Sequence, residues 1–144
     1  MKRRIQLVID KGDQAPDART KAPSDTIRVL EKAGYKPWYI AVDPALSHYK
    51  KLIQLCWRLL IFCLGIPQCT ELFVQYPLTN LFWVFLPVLR LKQVQITMLV
   101  HDVESYRATG IMNPKETEKL NCATHLVLPS KAMEDLLRST GLKV

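Results

Sequence analysis

Short apolar runs alternate along this chain with longer stretches of helical period. Ile5-Gln6-Leu7-Val8-Ile9 is a compact run that stops at Asp10-Lys11-Gly12-Asp13, the pattern of a buried strand leading into a loop. Ser24 to Ala33 carries Ile27, Leu30 and the pair Val29/Ala33 at helical spacing, with Ser24 placed to cap the helix and Gly34 to stop it. Trp38 to Val42 supplies a second strand. Asp43-Pro44 then reads as an N-cap followed by a first-turn proline, where the missing N–H removes no hydrogen bond. Leu46, Tyr49, Leu52, Ile53, Cys56, Leu59, Leu60 and Cys63 recur at three- and four-residue steps until Gly65-Ile66-Pro67, while Lys50, Lys51, Gln54 and Arg58 fall on the other side. That pattern predicts an amphipathic helix with one packed face.

Glu71 to Pro77 reads as a third strand, and Gln93 to Val100 as a fourth that runs straight into His101-Asp102. Between them an apolar helix from Asn80 should be kinked or interrupted at Pro87. Asn113-Pro114-Lys115-Glu116 combines an N-cap, an N1 proline and a glutamate at the third helical position, a capping-box start for a helix reaching about Cys122. His125 to Pro129 is a fifth strand, and Ser130 caps a last helix whose Met133, Leu136 and Leu137 face inward until Gly141. Leu142-Lys143-Val144 stands where another strand would begin. Strands alternating with helices imply right-handed crossovers. The expected fold is therefore an α/β, Rossmann-like three-layer sandwich, residues 1–144 forming one domain around a mostly parallel sheet of five or six strands.

Composition agrees with a packed globule: hydrophobic residues make up 49% of the chain and charged residues 23%. The net charge of +7 is uneven, since residues 1–100 carry 14 basic and 7 acidic side chains and residues 101–144 carry 6 of each. Such a bias suits a solvated basic surface or an anionic membrane, and without an arginine-rich run or RNA-binding signature it does not point to nucleic acid. A membrane span needs roughly 20 mostly apolar residues. Arg58 breaks the first apolar stretch, and Asn80 and Arg90 bound the second too closely. The group Phe82, Trp83 and Phe85, near Arg90 and Lys92, fits burial against the sheet, the preferred reading, and also a surface-lying role at a membrane. Met1-Lys2-Arg3-Arg4 precedes too short an apolar run for a signal peptide. Cys56, Cys63, Cys69 and Cys122 form no CxxC pair and sit mostly in apolar runs, which reads as reduced, buried thiols of a cytoplasmic protein with no metal site.

In parallel sheets of this kind ligands bind beyond the carboxyl ends of the strands. That rule selects the loop Asp10 to Thr20, the exit Gln75-Tyr76-Pro77, the segment His101-Asp102-Val103-Glu104, and Pro129-Ser130-Lys131. No GxGxxG and no GxxxxGK[ST] is present, so a dinucleotide or P-loop site is not expected. A histidine and two carboxylates at a strand exit can supply a general base or hold sugar hydroxyls. They can equally be a strand cap and a surface pair, with Asp102 on Arg107. A receiver-like binding module would want paired acids after the first strand, an aspartate after the third and a lysine after the fifth. Asp10, Asp13 and Lys131 imitate part of that set, but Gln75-Tyr76-Pro77 contains no aspartate.

His101-Asp102-Val103-Glu104-Ser105-Tyr106-Arg107, followed by a strand with Pro129-Ser130 and a helix, resembles bacterial galactofuranosyltransferases and related glucosyltransferases. Ala15 to Asp25 is similar to their first-strand loop, Gln75-Tyr76-Pro77-Leu78 to a Tyr-Pro strand exit, and Asn121 to Met133 to their segment ending in Pro-Ser-Lys-Ala-Met. The apolar stretch between Asp43 and Gln68 departs from their pattern. The resemblance implies a GT-B architecture of two Rossmann-like domains, of which this chain would be the acceptor-side N-terminal one, with the C-terminal donor-binding domain absent from it and the isolated half inactive. It implies sugar transfer from a nucleotide donor such as a UDP-sugar to a glycan or lipid-linked acceptor in cell-surface polysaccharide synthesis, without cofactor or DxD metal. Asp102 or His101 would be the base. Tyr76 and Arg107 would line the cleft, Glu104 would contact substrate or pair with Arg107, and the backbone near Gly12 and Ser130 would lie close to the donor. A peripheral position at the inner face of the membrane and a homo-oligomer remain open, as does a degenerate transferase that only binds.

Overall fold

The computed structural model describes residues 3–10, 18–103, 106, 110 and 113–144, with the backbone alone for 18–24. The elements run β1 (Arg4–Asp10), α1 (Ala18–Lys32), β2 (Lys36–Ala41), α2 (His48–Gly65), β3 (Glu71–Tyr76), α3 (Asn80–Val84), α4 (Leu86–Leu91), β4 (Gln95–Val100), α5 (Pro114–Leu120), β5 (His125–Val127) and α6 (Lys131–Ser139). All five strands are parallel, in the order β2-β1-β3-β4-β5. The expected Rossmann-like three-layer sandwich is therefore the observed one, with a five-stranded sheet.

The strand order dictates the layers. The chain steps one way from β1 to β2 and the other way from β2 onward, so right-handed crossovers place α1 on one face and α2 to α5 on the other. Side-chain alternation agrees. Gln6 points to α1, where its Nε2 donates to the Ile27 carbonyl, and its register partner Phe73 meets Tyr35 edge-on. Leu7, Trp38, Leu72 and Val74 point the other way and join Leu59, Phe62 and Cys63 of α2 in the main core. Trp38 packs edge-on to Phe62 with centroids 5.2 Å apart, and its ring lies 3.1 Å from where a Cβ on Gly65 would stand. A glycine at the end of α2 is what lets the indole lie there.

Several boundaries differ from expectation. α1 starts at Ala18 and carries Pro23 and Ser24 inside it, so Ser24 is no N-cap. The apolar period marks only the packed part of a helix, and backbone hydrogen bonding begins earlier. Among the described side chains of α1, Val29 is exposed and Leu30 is buried. Asp43 caps no helix either: its Oδ1 accepts from Ala45 N at 2.9 Å and its carbonyl from Leu46 N, closing a turn, and α2 begins after Ser47. The segment from Asn80 is interrupted as expected, but at Phe85, with Pro87 in the first turn of α4. Phe82 is fully buried, and Trp83 and Phe85 pack against the core, in keeping with the burial reading. Among the described helices none is long and apolar enough to cross a membrane.

α2 departs most. Leu59, Phe62 and Cys63 are its buried residues, whereas Tyr49, Leu52, Ile53 and Cys56, expected inside, are exposed. Leu59→Ala should cost about 2–5 kcal/mol in denaturant unfolding, while Ile53→Ala should stay within about 0.5 kcal/mol. The cysteines are free, as expected, but only Cys63 is buried, and Cys56 and Cys69 are exposed because they sit on the outer side of α2 and in a turn. Burial pushes the Cys63 thiol up to about 11. Thiolate is the reactive form, so a disulfide-exchange reagent at mildly alkaline pH should modify Cys56 and Cys69 first and reach Cys63 only on unfolding.

Candidate functional site

The carboxyl edge of the sheet is where its strands part. The β1–β2 ladder continues to Asp10–Ala41 and the β3–β4 ladder to Tyr76–Val100, but the β1–β3 ladder ends at Gln6–Phe73. A crevice thus forms between the two strands at which the sheet reverses its order, the position that parallel α/β sheets use for ligands.

Gln75, Tyr76, His101 and Asp102 lie at this edge. His101 N donates to the Tyr76 carbonyl at 3.1 Å, which joins the exits of β3 and β4. Alternation then sends the side chains apart. His101 goes with Gln75, its Nε2 2.7 Å from Gln75 Oε1. With that oxygen as acceptor, Nε2 carries the proton and Nδ1 keeps the lone pair. Desolvation pulls the ring's pKa below the ordinary histidine value, so the neutral form is favoured although the residue is exposed. Asp102 is half-buried, and its Oδ1 accepts from Val103 N at 2.8 Å.

Tyr76 turns to the other face and is buried, with its hydroxyl donating to Glu116 Oε1 at 2.6 Å. It therefore braces the edge from below and does not line the crevice with its ring. Glu116, read from the sequence as part of a helix cap, is itself buried and joins β3 to α5. The Asn113 half of that cap is present, its side chain accepting from Lys115 N at 3.0 Å. The sequence had marked Tyr76 as a strand-exit residue, but nothing local in it pointed to Glu116 as its partner.

Ser130 caps α6 as expected, accepting from Met133 N at 3.2 Å. It lines an open hollow of about 670 Å3 beside β5, with His125, Leu128, Lys131 and Arg138. Lys131 there is paired with Glu134 and Asp135. Gly12, Glu104 and Arg107 lie outside the described residues. Among the described residues no group of histidines, cysteines and carboxylates is arranged to hold a metal.

A second hollow, about 610 Å3, opens beyond β1 and β2 and was not foreseen. Asp10, Asp43, Gln54 and Arg58 supply its polar wall, and Gln54 Oε1 accepts from Asp43 N at 2.9 Å. Two carboxylates and a guanidinium can hold the vicinal hydroxyls of a sugar together with an anionic group. The available signal was Arg58 itself, the lone charge between Leu55 and Gly65.

Tyr76→Phe removes one hydrogen bond to a buried carboxylate and should cost about 1–3 kcal/mol in urea unfolding. A change near zero would mean that the Tyr76–Glu116 contact braces nothing.

The family described as "Glucosyltransferase 3-like, N-terminal domain" matches residues 4–144. No curated protein matches the chain.

Proposed function

Because the chain belongs to the glucosyltransferase 3-like N-terminal domain family, we propose that it is the acceptor-side domain of a sugar-nucleotide-dependent transferase of GT-B architecture. Glucosyl and galactofuranosyl donors are the two chemistries the sequence resembles. The donor, a UDP-sugar or similar nucleotide sugar, is held mainly by a second Rossmann-like half, and the product is a cell-surface glycan. Neither a metal nor a further cofactor takes part in this reading.

The observation that carries it is the neutral, exposed His101 held by Gln75 at the β4 exit. In the transfer step an acceptor hydroxyl oxygen bonds to the anomeric carbon of the donor sugar while the bond from that carbon to the diphosphate oxygen breaks. The nucleoside diphosphate leaves with the electron pair, and the hydroxyl proton passes to His101 Nδ1. A pKa below the ordinary histidine value keeps that nitrogen unprotonated at neutral pH. Asp102, with Oδ1 engaged by Val103 N, orients the exit or an acceptor hydroxyl. The hollow of Asp10, Asp43 and Arg58 suits the acceptor glycan.

The test is transfer from a panel of sugar nucleotides by this chain alone and joined to a candidate C-terminal half. Activity is expected only in the joined form. His101→Ala should lower kcat by about 10²–10⁴-fold, and Asp102→Asn by less. For the unmodified enzyme kcat should rise with pH through a value below about 6.5, since protonation of His101 removes the base. Donor hydrolysis without a histidine dependence would move the base elsewhere. Absence of donor binding and transfer in both forms would instead favour a non-catalytic, degenerate module.

A further inference from the structure

α2 has two apolar faces and only one of them is covered. Leu59, Phe62 and Cys63 are buried against the sheet. On the outer side Tyr49, Ile53, Trp57, Ile61 and Leu64 follow one another at steps of four, four, four and three residues, so they form one stripe along the helix. All five are exposed, Tyr49 by 71%, Trp57 by 61% and Leu64 by 62%. At the C-terminal end of α2 the Lys92 ammonium donates to the carbonyls of Leu64 and Ile66, tying in α4, whose Leu91 is 83% exposed. Large exposed apolar surfaces of this kind mark contact sites.

The charges of α2 choose among the occupants. Its eighteen residues include Lys50, Lys51 and Arg58 and no acidic residue. A second copy docking α2 against α2 would bring these cations together with no carboxylate on either helix to offset them. An anionic lipid surface supplies the missing charge, and aromatic and aliphatic residues beside lysines suit the boundary between headgroups and acyl chains. We propose that the outer face of α2 seats this domain on an anionic bilayer, lying in its surface without crossing it. The N-terminus of α2 follows the Asp43–Leu46 turn at the carboxyl edge of the sheet, and Arg58 lines the hollow there. A seated domain therefore presents that hollow beside the headgroups, within reach of lipid-linked molecules. The seating itself does not depend on the transfer chemistry proposed above, and its test measures no transfer.

The experiment is co-sedimentation of the full chain with phosphatidylcholine vesicles, with and without phosphatidylglycerol, at low and high salt. Binding is expected to need the anionic lipid and to weaken with salt. Ile53→Ser combined with Trp57→Ser, both at exposed positions, should weaken it about ten-fold or more. Lys50→Gln with Lys51→Gln should do so by a similar factor, and an unchanged far-UV circular dichroism spectrum shows whether each variant is folded. Failure to bind anionic vesicles at low salt would overturn the proposal, as would binding that neither pair of substitutions alters. A dimer in size-exclusion chromatography that the Ile53/Trp57 variant converts to a monomer would overturn it in favour of a second copy on the same face.

Discussion

β1 is hydrogen-bonded on both edges, to β2 and to β3, and the rest of the domain is arranged by that double pairing. A strand in this position forces the chain to travel outward in both directions from it. With right-handed crossovers, α1 is then alone among the helices up to α5 on its face, and α2 to α5 share the other. The two faces are unequal in consequence. Among the described residues, one has α1 over the buried Gln6, and the other carries the main core. The same pairing opens the crevice, because β1 stays with β2 up to Asp10 after it has left β3 at Gln6.

At the edge of that crevice, pleating separates bracing from chemistry. Tyr76 and Gln75 are neighbours in β3, so their side chains go to opposite faces. The tyrosine reaches down to Glu116 and fastens β3 to α5, and the glutamine stays at the rim and holds His101. Burying a carboxylate is costly unless it is hydrogen-bonded, so the Tyr76 hydroxyl is part of what makes Glu116 tolerable there. In return the β3 exit is fixed in the place from which its carbonyl accepts the His101 N–H. The chain belongs to a family described as a glucosyltransferase 3-like N-terminal domain, and its β4 exit carries the His101 imidazole held by Gln75.

α2 shows the limit of the amphipathic rule. The helix is apolar over most of its circumference, and such a helix is ordinarily enclosed. Here the sheet offers it only one side, and α3 and α4 are too short to wrap the other. The outer stripe is left uncovered by the rest of the domain, whatever its side chains would prefer.

Much was legible in the order of residues. The five strands, the alternation with helices, the parallel sheet, the Ser130 cap and the interruption of the helix from Asn80, though not its position at Phe85, all follow from local period and from the chemistry of caps and prolines, which act over a few residues. The clustering of candidate chemistry at strand exits followed as well, since it needs only the direction of the chain. What the sequence left undecided is everything set by contacts between distant segments. The choice of Glu116 as the Tyr76 partner and of Gln75 as the His101 partner joins residues 40 and 26 positions apart. The hollow of Asp10, Asp43 and Arg58 exists only because the ends of β1 and β2 lie side by side against the middle of α2. Period marked one packed face of α2 running from Leu46 to Cys63, and only the layout of the sheet decided that Leu59, Phe62 and Cys63 were covered while Tyr49, Leu52, Ile53 and Cys56 were not. Helix and strand patterns are written in near neighbours, whereas burial and partnership depend on which elements the sheet sets together.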